Sequence, residues 1–213
     1  MKHLVIIGAG GFGREMFCAA REAIGYGTVF DIKGFLDDRL SALDGFSSYA
    51  PVISSLETYK PCDDDVFITA LGNIATRKRC SKIIEERGGK FISIIHHTAS
   101  LGCNVTVGEG SFIAHNAVLT ADISVGRHAC VFQNTTIGHD SRLGNYTHVY
   151  AQCSVGGGVK IKDGAAVYPR SCIVPRRTIG SNAVVGAGSV VFVSVPDGKT
   201  VFGCPAVVMD MPI

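Results

Sequence analysis

The chain has 213 residues, of which 46% are hydrophobic and 18% are charged, and its formal net charge is +2. This composition indicates a well-buried globular protein of one large or two modest domains, and so small a charge argues against a nucleic-acid or membrane partner. No apolar stretch approaches the roughly 18 residues of a membrane span, and the N-terminus lacks the long apolar core of a signal peptide. The eight cysteines include no CxxC pair, so we expect reduced thiols in a cytoplasmic protein.

The first elements are an apolar strand from His3 to Ile7 and a helical pattern from Arg14 to Ala23. The loop between them reads Gly8-Ala9-Gly10-Gly11-Phe12-Gly13, which is a GxGxxG pattern after a strand and before a helix. Glycines there allow a tight turn and a close approach of the backbone to phosphate at the helix N-terminus. A purely structural turn is the alternative. The residues that we predict to bind a nucleotide are Gly8, Gly10, Gly11, Phe12 and Gly13.

The pattern from Val29 to Leu36 predicts a second strand, which ends at Asp37-Asp38. An acid about 20 positions after the loop contacts a ribose in dinucleotide enzymes, although paired acids are also common at solvated strand ends. The remaining predicted elements are a short strand and helix within Pro51 to Tyr59, a strand from Val66 to Leu71 that ends in Gly72-Asn73, a helix from Ala75 to Arg87 and a strand from Phe91 to Ile95. Together they predict an α/β, Rossmann-like βαβαβ unit over residues 1–95 with room for one nucleotide. A hydride-transferring enzyme is disfavoured, because a dinucleotide domain usually has two such halves.

From Leu101 to Pro196 an aliphatic residue recurs every six positions without a break. These residues are Leu101, Val107, Ile113, Leu119, Val125, Val131, Ile137, Leu143, Val149, Val155, Ile161, Val167, Ile173, Ile179, Val185 and Val191. A period of six fits neither an amphipathic helix nor a hairpin meander. It is typical of a parallel β-helix of hexapeptide repeats, in which three hexads close one coil and residues 18 apart stack. Residues 96–213 are therefore predicted to form a left-handed β-helix, whose tail from Val201 to Ala206 leaves the last coil and caps it.

One histidine of the β-helix has neighbours suited to catalysis. His139 precedes Asp140, whose carboxylate can fix the imidazole, and the residue one coil further on is Gly157, within Gly156-Gly157-Gly158. A glycine-rich corner can turn a backbone N–H toward an oxyanion, so the pair suits acyl transfer. The nearby Cys153 occupies an inward position, which argues against a nucleophilic role.

Two other interpretations of the histidines remain. A single histidine in a β-helix is more often a surface or packing residue. A zinc site built from three histidines usually includes a close HxxxxH pair, but the gaps between His115, His128, His139 and His148 are 13, 11 and 9 residues. We therefore predict no metal.

The chain resembles the bacterial sugar acyltransferases, which include nucleotide-aminosugar N-acetyltransferases and sialic acid O-acetyltransferases. The resemblance covers essentially the whole chain. It is carried by the glycine loop, Gly34-Phe35-Leu36-Asp37-Asp38, Ala70-Leu71-Gly72-Asn73, Asn134-Thr135-Thr136-Ile137-Gly138-His139-Asp140, Val185-Gly186-Ala187-Gly188-Ser189-Val190 and Gly203-Cys204-Pro205-Ala206.

The resemblance implies a homotrimer with acetyl-CoA in grooves between neighbouring β-helices. It implies His139 as the base, Asp140 as the acid beside it, and the Gly157 N–H as the group that holds the thioester carbonyl. It also implies nucleotide contacts from the N-terminal unit. Those contacts are Asp37, Asp38, Gly72 and Asn73, and the expected acetyl-CoA contacts are Gly157, His148, Pro169 and Ala187.

The expected function is therefore acetyl-CoA-dependent N-acetylation of an amino-deoxy sugar on a nucleoside diphosphate, and the expected sugar is a 4-amino-4,6-dideoxy sugar. The transfer is expected to be direct, with His139 as general base. One alternative is O-acetylation of sialic acid or a related sugar. The other is a non-catalytic protein that binds a nucleotide sugar.

Overall fold

The computed structural model describes residues 1–209 and divides into two compact units, which meet in sequence between His97 and Thr98. The first unit is an α/β domain and the second is a parallel β-helix. Neither helix in the described part of the chain has the length and apolar character that crossing a bilayer requires. The prediction of a Rossmann-like unit followed by a hexapeptide β-helix is confirmed.

The first unit is built on a five-stranded parallel sheet, whose strands in spatial order are β3 (Val52–Ser54), β2 (Phe30–Leu36), β1 (Lys2–Ile7), β4 (Asp65–Thr69) and β5 (Lys90–Phe91). Strand β1 is its centre, because Leu4, Val5 and Ile6 are fully buried and a central parallel strand is covered on both faces. The elements in chain order are β1 (Lys2–Ile7), α1 (Gly11–Arg21), β2 (Phe30–Leu36), β3 (Val52–Ser54), β4 (Asp65–Thr69), α2 (Ile74–Glu86), β5 (Lys90–Phe91) and β6 (Ile94–Ile95).

Two details of this unit differ from the prediction. No helix forms within residues 51–59, because the Ser54 and Ser55 hydroxyls bond the Thr58 hydroxyl at 2.9 and 2.8 Å and close a turn instead. Such side-chain bonds compete with helix formation, and Pro61 then prevents any extension. The predicted strand from Phe91 to Ile95 is divided into β5 and β6.

Each hexad of the second unit forms one two-residue strand, and its second residue is the aliphatic one of the repeat. The strands are β7 (Ser100–Leu101), β8 (Thr106–Val107), β9 (Phe112–Ile113), β10 (Val118–Leu119), β11 (Ser124–Val125), β12 (Cys130–Val131), β13 (Thr136–Ile137), β14 (Arg142–Leu143), β15 (His148–Val149), β16 (Ser154–Val155), β17 (Lys160–Ile161), β18 (Ala166–Val167), β19 (Cys172–Ile173), β20 (Thr178–Ile179), β21 (Val184–Val185) and β22 (Val190–Val191).

These strands form three flat faces, because each strand from β7 to β19 pairs in parallel with the strand 18 residues later. The first face runs from β7 to β22, the second from β8 to β20, and the third from β9 to β21. Small residues fill the interior, and their hydroxyls bond backbone groups there: Ser111 Oγ donates to the Gly126 carbonyl at 2.8 Å and accepts the Ala129 N–H at 3.0 Å. Each coil is thereby tied to the next by side chains as well as strands.

The tail differs from its prediction at Val201 and Phe202. These residues lie in β23 (Thr200–Phe202), which pairs in parallel with β21 and antiparallel with β24 (Val207–Met209). The reason is that the last coil is two residues shorter than the others, so that Val201 stacks on Val185. Within residues 1–209, the chain leaves the coil at the turn that begins at Gly203.

Candidate active site

His139 stands at the corner that follows the first face, directly after β13 and Gly138. Its Nδ1–H donates to Asp140 Oδ2 at 2.7 Å, because an ionised carboxylate can only accept. Asp140 has a φ of 60°, a left-handed conformation that aspartate adopts more readily than most residues. The bond places the imidazole lone pair on Nε2, which is the state required of a general base.

The lone pair of His139 lies against Gly157, one coil above. A Cβ on residue 157 would be 2.6 Å from His139 Nε2, so only glycine leaves the imidazole in this position. The Gly158 N–H donates to the His139 carbonyl at 2.7 Å, and the Gly157 carbonyl accepts from Arg176 at 2.9 Å. The Gly157 N–H itself has no acceptor among residues 1–209. An imidazole nitrogen and an uncommitted N–H donor therefore adjoin at one exposed corner.

Cys153 is buried inside the β-helix. Its Sγ contacts the Tyr168 carbonyl at 3.2 Å, and burial raises the pKa of the thiol to about 11. Since the thiolate is the nucleophilic form, this side chain is a poor acyl carrier at neutral pH.

The expected acetyl-CoA contacts are divided between two parts of the β-helix. Pro169 and Ala187 lie one above the other at the corner that follows the third face, where the Gly188 N–H donates to the Pro169 carbonyl at 2.9 Å. Gly157 lies at the corner that follows the first face. His148 is 1% exposed and its Nδ1 bonds the Tyr150 hydroxyl at 3.3 Å. A single chain therefore does not bring these residues together, and their shared role stays a prediction.

The glycines of the GxGxxG loop in the first unit have two different roles. Gly8 has a φ of 102° and a Cβ there would meet the Leu71 side chain, while a Cβ on Gly13 would overlap the Gly8 carbonyl. These two glycines serve chain packing. By contrast, nothing lies within 4 Å of the Cβ position of Gly10 or Gly11, so the outer surface of the loop is open at the start of α1. Phe12 lies half-buried in the first turn of that helix.

Asp37 braces the loop. Its Oδ2 accepts the Ala9 N–H at 2.9 Å, and its Oδ1 accepts the Arg39 N–H at 3.0 Å. Asp38 beside it is exposed. Asn73 is also engaged, because its Oδ1 accepts the Thr76 N–H at 2.9 Å and caps α2, and Gly72 is exposed next to it. Asp37 and Asn73, which are two of the predicted nucleotide contacts, thus make hydrogen bonds that stabilise the fold of the first unit.

A cavity of about 240 Å³ lies at the carboxyl ends of β1 and β2. Its wall includes Gly8, Asp37 and Asp38, which are three of the predicted nucleotide contacts. It also includes the cations Arg39 and Arg79, which were not predicted. Arg39 directly follows the paired acids, a signal that was visible in the sequence. Arg79 belongs to α2 and no motif marks it. Guanidinium groups suit phosphate, because they donate two parallel hydrogen bonds.

One group of side chains in residues 1–209 has the composition of a metal site, namely Glu22, His96 and His97. The two rings are stacked with centroids 4.6 Å apart, and one ligand atom from each of the three residues lies within 4.8 Å of the others. His96 Nε2 is 3.1 Å from the Glu22 carboxylate and His97 Nδ1 is 2.8 Å from the Glu22 carbonyl. These contacts explain the cluster as a brace for the end of α1.

Comparison with known proteins gives a match to each unit. The family model described as the PglD N-terminal domain matches residues 3–84, and the one described as the GMPPB C-terminal domain matches residues 90–187. UDP-N-acetylbacillosamine N-acetyltransferase of Bacillus subtilis (strain 168) is 29% identical over 115 residues, which are 53% of this chain. That match spans about half, 51%, of the curated relative's own length.

Solved structures match the chain over nearly its whole length. WeeI from Acinetobacter baumannii AYE is 28% identical with a TM-score of 0.83, and the match covers 98% of this chain and 100% of that one. The acetyltransferase domain of PglB from Neisseria gonorrhoeae FA1090, in complex with acetyl coenzyme A, is 26% identical with a TM-score of 0.58. That match covers 98% of this chain and 99% of the domain.

The fold and the matched regions define a hexapeptide-repeat protein with a PglD-like N-terminal unit. The matches confirm the resemblance to the bacterial sugar acyltransferases that the sequence motifs indicated.

Proposed function

We propose that the protein transfers an acetyl group from acetyl-CoA to the amine of an amino-deoxy sugar linked to a nucleoside diphosphate, most specifically a 4-amino-4,6-dideoxy sugar. The observation that carries this proposal is the corner where His139 Nε2 lies against Gly157. Support comes from the UDP-linked sugar N-acetyltransferase that is 29% identical over half of the chain, and from the acetyl coenzyme A complex of a 26% identical domain.

In the proposed reaction the sugar amine attacks the thioester carbon directly. The C–N bond forms as His139 Nε2 accepts the amine proton, and the Gly157 N–H donates to the oxyanion. The C–S bond then breaks, the electron pair leaves on sulfur, and the imidazolium returns its proton to the CoA thiolate. Asp140 stabilises the imidazolium, since its carboxylate already accepts from Nδ1 at 2.7 Å. General-base assistance of this kind contributes about 10²–10⁴-fold.

The nucleotide is proposed to bind the first unit at the GxGxxG loop. The open outer surface at Gly10 and Gly11 and the start of α1 suit a phosphate. Arg39 and Arg79 line the adjacent cavity and supply positive charge for a diphosphate, and Asp38 supplies an exposed acceptor for the base or ribose. Asp37 contributes indirectly, by fixing the Ala9 amide.

Acetyl-CoA is proposed to lie between neighbouring β-helices of a homotrimer. The division of Gly157 from Pro169 and Ala187 between two corners of one chain supports this arrangement. A groove formed by two copies would bring one corner of each copy to the same ligand.

The test is CoA release from acetyl-CoA with UDP-, dTDP- and GDP-linked 4-amino-4,6-dideoxy sugars and with free sialic acid. We expect turnover on one nucleotide-linked amine, reduced at least about 10²-fold in His139→Ala. His115→Ala is the matched control, because His115 has the same place in its hexad at another corner, and it should keep wild-type turnover.

Turnover on sialic acid alone would replace N-acetylation by the O-acetyltransferase alternative. Binding of a nucleotide sugar without any CoA release would favour the non-catalytic alternative. Undiminished turnover in His139→Ala would remove the proposed base.

A further inference from the structure

At most corners in the described part of the β-helix, the N–H of the second residue after the aliphatic position makes no bond to the neighbouring strands, and three of these N–H groups receive a side-chain acceptor from the following coil. The Arg127 N–H donates to Asn145 Oδ1 at 2.8 Å, and the Asn145 N–H donates to Asp163 Oδ1 at 2.8 Å. At the last, shortened coil, the Ser181 N–H donates to Asp197 Oδ1 at 2.9 Å. All three donors are the second residue after the aliphatic position of their hexads. An aspartate or asparagine one coil above therefore accepts a hydrogen bond from the N–H at this place of the hexad.

Gly157 has the same place in its hexad, but the residue one coil above it is Pro175. Proline has no side-chain acceptor, so it cannot cap the N–H below it. Its ring lies close to the glycine corner, since a Cβ on Gly156 would be 2.7 Å from the Pro175 nitrogen. Within the described part of the chain, the Gly157 N–H consequently makes no hydrogen bond.

We propose that Pro175 is a positioning residue that keeps the Gly157 N–H uncapped and available to the reacting carbonyl. The inference rests on the proposed function, in which this N–H donates to the oxyanion. A capped N–H would have to break its bond before it could serve, whereas an uncapped and rigidly held donor needs no reorganisation during the reaction. At this corner the chain thus lacks a stabilising contact that it makes at three other corners within residues 1–209.

The test compares Pro175→Asn with Pro175→Leu and Pro175→Ala in the full-length protein. Asparagine and leucine have similar size, but only asparagine can repeat the Asn145 cap. We expect kcat to fall about 10-fold or more in Pro175→Asn, with an unchanged KM for the acceptor sugar. The leucine and alanine variants should stay within about 3-fold of wild-type kcat.

Thermal stability separates this role from a structural one. A new cap adds a hydrogen bond, so Pro175→Asn should melt no lower than Pro175→Leu while turning over more slowly. Equal kcat in the asparagine and leucine variants would overturn the inference, whether both stay active or both lose activity. Failure of the proposed function is recognised separately, because wild-type protein would then show no turnover or His139→Ala would not reduce it.

Discussion

Two corners of the β-helix have the same backbone conformation but differ in the hydrogen bonding of one N–H group. At one, His128 has a φ of 54° and at the other Asp140 has a φ of 60°. The preceding glycines are needed at both, because a Cβ on Gly126 or Gly138 would meet the backbone of the coil above. At the first corner an Asx side chain occupies the outward N–H, whereas at His139 a glycine and a proline leave it open. The fold is thus neutral with respect to catalysis, and a few side chains decide where a site can exist.

Among the variants that test this difference between the two corners, Gly157→Ala is expected to reduce kcat the most. The added Cβ would lie 2.6 Å from His139 Nε2 and must displace the imidazole. Misplacement of a catalytic group by about 1 Å can cost on the order of 10²-fold, so kcat should fall at least that far. Steady-state CoA release measures it, and isothermal titration with the nucleotide sugar should show unchanged binding to the first unit. An active alanine variant would mean that the base does not work in this position.

A smaller loss is expected from Asp140→Asn. Asparagine tolerates the left-handed backbone, so the corner should keep its shape while the imidazolium loses its counter-charge. We expect kcat to fall about 10-fold, in line with the loss of a charge-assisted hydrogen bond of about 1.5 kcal/mol.

Asp122→Asn is the matched control for that variant. Asp122 stands one coil below with a φ of 55° and accepts from Asn104 rather than from a histidine. Its replacement should leave CoA release unchanged. Equal losses in the two variants would show that the effect comes from the charge of the surface and not from the His139 bond.

Asn145→Ala probes the capped corner and should affect stability alone. The Arg127 N–H loses its acceptor at 2.8 Å, and such a bond contributes about 1 kcal/mol net. We expect a melting temperature about 2–4 °C lower, measured by circular dichroism, with kcat unaltered. A fall in kcat without a loss of stability would contradict the separation of the two corners.

The smallest effect is expected from Cys153→Ala. Burial holds the thiol pKa at about 11, so the side chain serves as interior filling and not as an acyl carrier. Turnover should remain within about 2-fold of wild type, and mass spectrometry of the wild-type protein after incubation with acetyl-CoA should show no acetylated Cys153. A stable acetyl-cysteine that reacts on with the sugar would replace direct transfer by a two-step mechanism.

The sequence predicted the β-helix down to single strands, because one six-residue period fixes both the inward residue and the corner. It also predicted that His139 and Gly157 would adjoin, since stacking follows from the coil length. It did not predict that Asp37 bonds the glycine loop or that Arg79 borders the cavity, because those contacts join segments distant in sequence. The failed helix at residues 51–59 has a local cause, since the Ser55 and Thr58 hydroxyls close a turn there.

The inner hydroxyl bonds, such as Ser111 Oγ to the Gly126 carbonyl, have a consequence for how this molecule can change in length. A single inserted residue would turn every later aliphatic side chain outward and break each such bond above it. Between β7 and β22, the addition or removal of a complete 18-residue turn preserves the register of every strand, and each turn raises the column by about 4.8 Å. Addition of complete turns between β13 and β22 would therefore move the tail away from His139 in steps of about 4.8 Å without disturbing the inward residues of the other coils.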